Sequence, residues 1–238
     1  MKTVLVTGGS RGIGEAIVRK FCAEGYSVAF TYRSSGEAAA RVAKETGALA
    51  LCADSEREEQ ILRAVARVEE AFGKIDVLVN NAAISSFSLF TDLSLEVWNR
   101  TLAVDLTAAF LYTRAVLPEM IRRKSGRIIN ISSMWGVTGA ACEVHYSAAK
   151  AGLIGMTKAL AKEVGPSGVT VNAIAPGVID TEMNRALSEE DRAALRENTP
   201  VCRLGQPEEV ASAVFFLAGE DAAFITGEVL NLSGGFVV

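Results

Sequence analysis

Tyr146 and Lys150 stand four residues apart in the run Tyr146-Ser147-Ala148-Ala149-Lys150, with Ser132-Ser133 a short way upstream. On a helix that spacing puts the phenol and the ammonium on one face, one turn apart. A free tyrosine titrates near ~10 and keeps its proton at neutral pH. A nearby positive charge favours the phenolate, so the spacing predicts that Lys150 draws the pKa of Tyr146 down. The pair would then serve as a general acid or base near physiological pH.

A second group of residues suits phosphate. The run Thr7-Gly8-Gly9-Ser10-Arg11-Gly12-Ile13-Gly14 follows an apolar segment and precedes a helical pattern. A strand, a glycine-rich turn and a helix N-terminus together form a dinucleotide cradle. Gly8 permits the tight turn, Gly12 lets the backbone approach a pyrophosphate, and Gly14 lets the helix pack close to the strand. Ser10, Arg11 and Ile13 complete this candidate cradle. The spacing is G-x-x-x-G-x-G rather than the general G-x-G-x-x-G. The second apolar segment ends Thr31-Tyr32-Arg33-Ser34-Ser35, without the carboxylate that usually binds an NAD ribose. Arg33, with Ser34 beside it and Arg11 able to approach, suits a 2′-phosphate. The expected cofactor is therefore NADP(H). Glu37, the nearest acid, falls on the next helix.

These residues need a frame that brings them together. Apolar runs near 3–7, 27–32, 48–53, 75–80, 126–132, 169–175 and 228–232 read as strands. Helical patterns near 12–24, 36–46, 56–72, 95–123, 144–164 and 207–218 alternate with them. Continuous apolar strands alternating with helices imply an α/β fold, a doubly wound sheet of about seven parallel strands with helices on both faces. No linker or repeat divides residues 1–238, so one domain is expected. The stretch 182–206 is less regular, carries a short helix capped by Ser188, and reads as a substrate lid.

Half of the 238 residues are hydrophobic, enough for a sizeable core, and the formal charge is −4. No long basic run is present, which argues against nucleic acid. The apolar runs are too short to span a membrane. The first strand begins at Thr3 with no signal peptide ahead of it, so the expected location is the cytosol. Cys22, Cys52, Cys142 and Cys202 are scattered, and His145 is the single histidine. That supply predicts reduced thiols and no metal site, with His145 a neighbour of the reactive residues.

Taken together, Thr7 to Gly14, Asn80-Asn81-Ala82, Ser133, Tyr146 with Lys150, and Pro176-Gly177-x-x-x-Thr181 resemble the short-chain dehydrogenase/reductase family over essentially the whole chain. Arg203 to Val210 and Ile225-Thr226-Gly227 through Gly235 narrow the likeness to the 3-oxoacyl-[acyl-carrier-protein] reductases. The resemblance implies a Rossmann-like sheet, a homotetramer and NADPH-dependent reduction of a ketone. It places Asp54 and Ser55 near the adenine, and Asn81, followed by Ala82, near the adenosine ribose. Pro176, Gly177, Ile179 and Thr181 fall at the nicotinamide end. Ser133 matches the family's serine thirteen residues before the tyrosine and would hydrogen-bond the substrate oxygen, leaving Ser132 a structural part. Tyr146 would donate the proton, and Lys150 would also hold the nicotinamide ribose.

A second likeness runs through Ser132 to Gly136 and Ala141 to Tyr146. It resembles a bacterial subgroup that reduces a 5-aminopentanone group on elongation factor P. A binding protein that senses NADP(H) with little catalysis is the rival from another class. Two positions depart from the family. Asp105 replaces the asparagine of the lysine's water-mediated relay, keeping an acceptor but losing a donor. Three readings of Asp105 stand: a modified relay, a slowed enzyme, or a binding protein. Ala83 replaces a glycine, which matters only if its φ is positive. Ser85 to Phe90, Met134, Trp135, Val137 and 182–198 are expected around the substrate, with Trp135 and Phe87 reading equally as lid or core packing. Glu143 and Asp191 suit an amine or a basic partner by charge, but the solvated surface is the expected place for either.

Overall fold

The computed structural model describes residues 1–182 and 188–237. The first run forms β1 (Thr3–Val6), fully buried, and leads through the glycine-rich turn into α1 (Gly12–Ala23). Then follow β2 (Ser27–Tyr32), α2 (Gly36–Thr46), β3 (Leu49–Cys52), α3 (Glu58–Phe72) and β4 (Val77–Asn80). Gly47 and Gly73, at φ of 74° and 81°, end α2 and α3 in the left-handed conformation that glycine adopts without strain. The second half adds α4 (Leu95–Leu102), α5 (Ala108–Arg123), β5 (Gly126–Ile131), α6 (Met134–Thr138) and α7 (Val144–Val164). It closes with β6 (Val169–Pro176), α8 (Glu189–Glu197), α9 (Pro207–Ala218) and β7 (Val229–Leu232).

All neighbouring strands pair in parallel, in the order β3-β2-β1-β4-β5-β6-β7. This is the expected doubly wound, Rossmann-like sheet, and the crossover from β3 to β4 puts the switch point between β1 and β4. Alternation along β1 sorts its side chains between two cores. Val4 and Val6 join Phe21 of α1 and Val214 of α9 on one face. Leu5 joins Val65 of α3 and Leu111 of α5 on the other.

The strands fall within two residues of their expected bounds, and most helices do as well. The helix expected over 95–123 is instead interrupted by a π turn over Ala103–Thr107. One extra residue in that turn directs the Asp105 side chain inward, where its Oδ1 accepts from the Ile84 N–H at 2.9 Å. α6 was not anticipated, since five residues are too few for a periodic signal. In the expected lid, Ser188 and Asp191 form a reciprocal capping box at the start of α8. Residues 183–187 of that lid lie outside the described residues. Ala83 is not among the residues with positive φ, so the missing glycine costs nothing there.

Candidate active site

The carboxyl ends of the strands open onto a cleft of about 860 Å³. Every residue expected to touch the cofactor lines it: Gly8, Ser10, Arg11, Gly12, Ile13 and Gly14 of the cradle, Arg33, Ser34, Asp54, Ser55, Asn81, Ala82, Pro176, Gly177, Ile179 and Thr181, together with Tyr146 and Lys150. Gly8 and Gly12 have φ of 69° and 53°. A Cβ on Gly14 would lie 2.1 Å from the Gly8 carbonyl oxygen, so only glycine lets α1 start this close to the turn. Thr7 Oγ1 accepts from the N–H groups of Asn81 and Ala82, both at 2.9 Å. Asn81 Nδ2 donates back to the Thr7 and Gly8 carbonyls at 2.9 and 3.1 Å. The turn is thus clamped between β1 and β4. No side chain caps α1, which leaves its first N–H groups for an anion. A dinucleotide pyrophosphate fits this cradle.

Beside the cradle, past the end of β2, Arg33 lies 3.1 Å from Glu56, which is shared with Arg100 at 3.1 Å. The two guanidinium groups share one carboxylate, and Arg33, Ser34, Ser55 and Arg11 line the cleft together with the carboxylate of Asp54. Asp54 is turned toward its own loop, accepting from the Glu56 N–H at 3.0 Å. Glu37 sits on α2 and does not line the cleft.

The reactive residues meet on the other side of the cradle, past the end of β5. Tyr146 and Lys150 project from the first turns of α7. Lys150 is 2 % exposed. Its Nζ donates to the Ile131 carbonyl at 3.1 Å and lies 5.5 Å from the Tyr146 ring centroid. Asp105 Oδ2 approaches the same Nζ at 3.5 Å, an ion pair too long for a good hydrogen bond. Ser133 caps α6, accepting from the Trp135 N–H at 3.1 Å. Ser132 donates to the Lys150 carbonyl at 3.0 Å, the structural part expected of it. Behind Lys150 is a cavity of about 10 Å³, room for about one water molecule. Asn80, Asp105 and Tyr112 border it. Asn80 Oδ1, Asp105 Oδ2 and the Tyr112 hydroxyl have no hydrogen-bond partner among the described residues.

The electrostatics reverse one expectation. Burial pushes the Asp105 carboxyl up to about 6 although Lys150 opposes the shift. Burial also pushes Lys150 down, with Asp105 opposing. Tyr146 is pushed up rather than down. Burial is the main cause and the Asp105 charge adds to it, while hydrogen bonding with Ser133 pulls the other way. The Lys150 charge does not reach the phenol uncompensated, because Asp105 stands against it. In the protein without ligand Tyr146 holds its proton tightly.

Glu143 corrects a second expectation. It is 7 % exposed, not solvated, lines the cleft, and its Oε1 accepts from the Ser85 hydroxyl at 2.5 Å. It immediately precedes α7, one turn before Tyr146, with no side-chain hydrogen bond capping the helix, and that spacing was the signal in the sequence. No cation pairs with it among the described residues. His145 is fully buried, with Nε2 3.1 Å from the Ser86 hydroxyl, behind the site as expected. Asp191 lines the cleft rim while exposed and bound to Ser188. Among the described residues no group of His, Cys, Asp and Glu could hold a metal ion, and no helix is long and apolar enough to cross a membrane.

A doubly wound sheet, a glycine cradle at its switch point and a tyrosine–lysine pair in the same cleft define a nicotinamide-dependent oxidoreductase. Comparison with known proteins agrees. A family profile described as enoyl-(acyl carrier protein) reductase matches residues 8–237. The 3-oxoacyl-[acyl-carrier-protein] reductase FabG of Aquifex aeolicus is 46% identical over 240 residues, spanning 98% of this chain and 96% of that protein. The acetoacetyl-CoA reductase of Rhizobium meliloti is 45% identical over 235 residues, spanning 98% of each. A solved double mutant of a Serratia marcescens short-chain dehydrogenase/reductase superposes with a TM-score of 0.93 at 36% identity, covering 100% of this chain and 98% of that one. The chain belongs to the short-chain dehydrogenase/reductase family.

Proposed function

We propose that residues 1–238 form one NADP(H)-binding reductase domain that reduces the ketone of a 3-oxoacyl thioester, carried on acyl carrier protein, to a secondary alcohol. The observation that carries this reading is the meeting of Ser133, Tyr146 and Lys150 in the cleft that also holds the glycine cradle. The names of the relatives support the substrate.

Bound NADPH supplies a hydride for the ketone carbon. The cradle Gly8 to Gly14 holds the pyrophosphate, Arg33 and Arg11 receive the 2′-phosphate, and Ile179 and Thr181 flank the nicotinamide. Tyr146, kept protonated by its surroundings, gives its proton to the oxygen as negative charge develops there. Ser133 donates a hydrogen bond to the same oxygen. Lys150 then stands beside a phenolate and stabilises it, and it also holds the nicotinamide ribose. Asp105 and the polar cavity behind Lys150 return the proton, the modified relay. α8 and its flanks serve as the lid. The reading goes with a cytoplasmic homotetramer that uses neither nucleic acid nor membrane.

The test is an acetoacetyl thioester with NADPH and NADH in parallel. Turnover favouring NADPH supports the reading. Turnover favouring NADH removes the NADP assignment. NADPH binding without turnover on any ketone leaves the NADP(H)-sensing protein.

One observation favours a second substrate. Glu143 is a buried carboxylate in the cleft without a cationic partner among the described residues, and it suits an ammonium group. The ketone would then be the 5-aminopentanone on elongation factor P. Efficient reduction of an amino-ketone, with the neutral isostere and the thioester both poor, would favour this reading.

A further inference from the structure

The chain ends in a turn that the reactive residues do not use directly. After β7, the Phe236 N–H donates to the Ser233 carbonyl at 3.2 Å, and the Val237 N–H donates to Ser233 Oγ at 3.2 Å. Asn231 Nδ2 also donates to the Val237 carbonyl, fixing the last described residue. Gly234 and Gly235, at φ of 64° and 86°, make the reversal possible.

This turn and the strand before it make three contacts with neighbouring segments, two of them with residues that line the cleft. The Gly177 N–H donates to the Leu232 carbonyl at 2.9 Å, just before the turn. The Val201 N–H, beyond α8, donates to the Gly234 carbonyl at 3.2 Å. Phe236 meets Trp135 edge to face, with ring centroids 5.8 Å apart at 85°. Trp135 lines the cleft, and its N–H is the group held by Ser133 Oγ. Phe236 itself does not line the cleft.

We propose that Phe236 is a positioning residue for Trp135, and that this pair limits the length of the ketone's acyl chain. The proposal rests on the thioester reading above and adds a determinant of specificity to it. Trp135 leaves α6 next to the serine that would hold the substrate oxygen, so its indole borders the chain that continues from the carbonyl. The indole also packs edge to face against Phe236. With that ring in place the indole cannot swing away from the cleft. Without it the indole gains room, and a longer chain gains room with it.

The experiment compares acetoacetyl and 3-oxodecanoyl thioesters of one carrier. In Phe236→Ala the long-to-short ratio of kcat/KM is expected to rise about tenfold, the scale on which a pocket discriminates alkyl length. KM for NADPH stays unchanged, which a general loss of structure would not allow. Phe236→Leu, which keeps apolar bulk, moves the ratio less. In a Trp135→Ala background Phe236→Ala changes the ratio no further. An unmoved ratio in Phe236→Ala, or an equal rise in the Trp135→Ala background, overturns the proposal. If Phe236→Ala does not fold, Phe236→Leu is read by the same two criteria.

Should the parent reduce neither thioester, the thioester reading fails, and the contact is tested without turnover. In a Trp98→Phe protein, Trp135 is the remaining tryptophan. Greater acrylamide quenching on adding the Phe236 change upholds the positioning role, and unchanged quenching overturns it.

Discussion

At the scale of single residues, the chemistry is set by a charge that is almost cancelled. Lys150 alone would make Tyr146 a stronger acid, but Asp105 lies 3.5 Å from the same ammonium. Burial, with the Asp105 charge adding to it, keeps Tyr146 protonated in the free protein, the state a ketone reduction needs. Tyr146→Phe is expected to lower turnover about a hundredfold or more while cofactor binding persists, measured by steady-state rates and by NADPH fluorescence titration. Asp105 adds a pH signature. Its carboxyl is raised to about 6, so between the ordinary carboxylate range and about 6 the folded chain keeps a proton that the unfolded chain has released. Stability from this group is present at lower pH and is lost as pH rises through about 6. Asp105→Asn removes that loss. It also leaves Lys150 more depressed, a contribution to stability that grows as pH rises. Both effects share a sign: the melting temperature of the variant relative to the parent should increase from pH 4 to pH 8. The acid limb of the parent's rate profile near 6 should disappear as well. A constant melting difference, or an acid limb that persists, would refute the titration of Asp105.

At the scale of elements, the sequence was most readable where burial is repeated along a segment. β6 is buried at all eight positions, and its apolar run stands out without a partner in view. The glycine cradle was equally readable, because each glycine answers a backbone need. Gly14→Ala tests this at one atom. The added Cβ meets the Gly8 carbonyl, a backbone oxygen that cannot turn aside. A loss of about 1–3 kcal/mol in stability by urea unfolding is expected, with weaker cofactor binding, because the turn must open to accept the methyl. A variant as stable as the parent would mean that α1 shifts freely. The π turn at 103–107 was not readable. It depends on the Ile84 N–H and on Lys150, both far from it in sequence. Glu143 escaped for a related reason. A glutamate opening a helix reads as solvated until the Ser85 loop closes over it.

At the scale of the whole molecule, the cleft is built from segments that the unfolded chain holds far apart. Gly8 to Gly14 follow β1, Arg33 follows β2, Asn81 follows β4, Ser133 follows β5, and Thr181 lies beyond β6. The parallel sheet brings these strand ends to one edge, and a dinucleotide would touch nearly all of them at once. Such a ligand binds the folded state and not the unfolded one, so its affinity appears as stability. At a hundred times its dissociation constant, NADPH should add about 2.7 kcal/mol. For a chain of this size that corresponds to a rise of about 5–10 °C in Tm. NADH lacks the 2′-phosphate that the proposed reading assigns to Arg33 and Arg11, and on that reading it should raise Tm distinctly less at the same concentration. Equal shifts would remove the NADP preference while keeping the dinucleotide site. No shift with either would remove the site itself. Because the shift requires no turnover, it separates cofactor choice from catalysis. A protein that only senses NADP(H) would give the same rise, and Tyr146→Phe, which keeps the fold, should give it too.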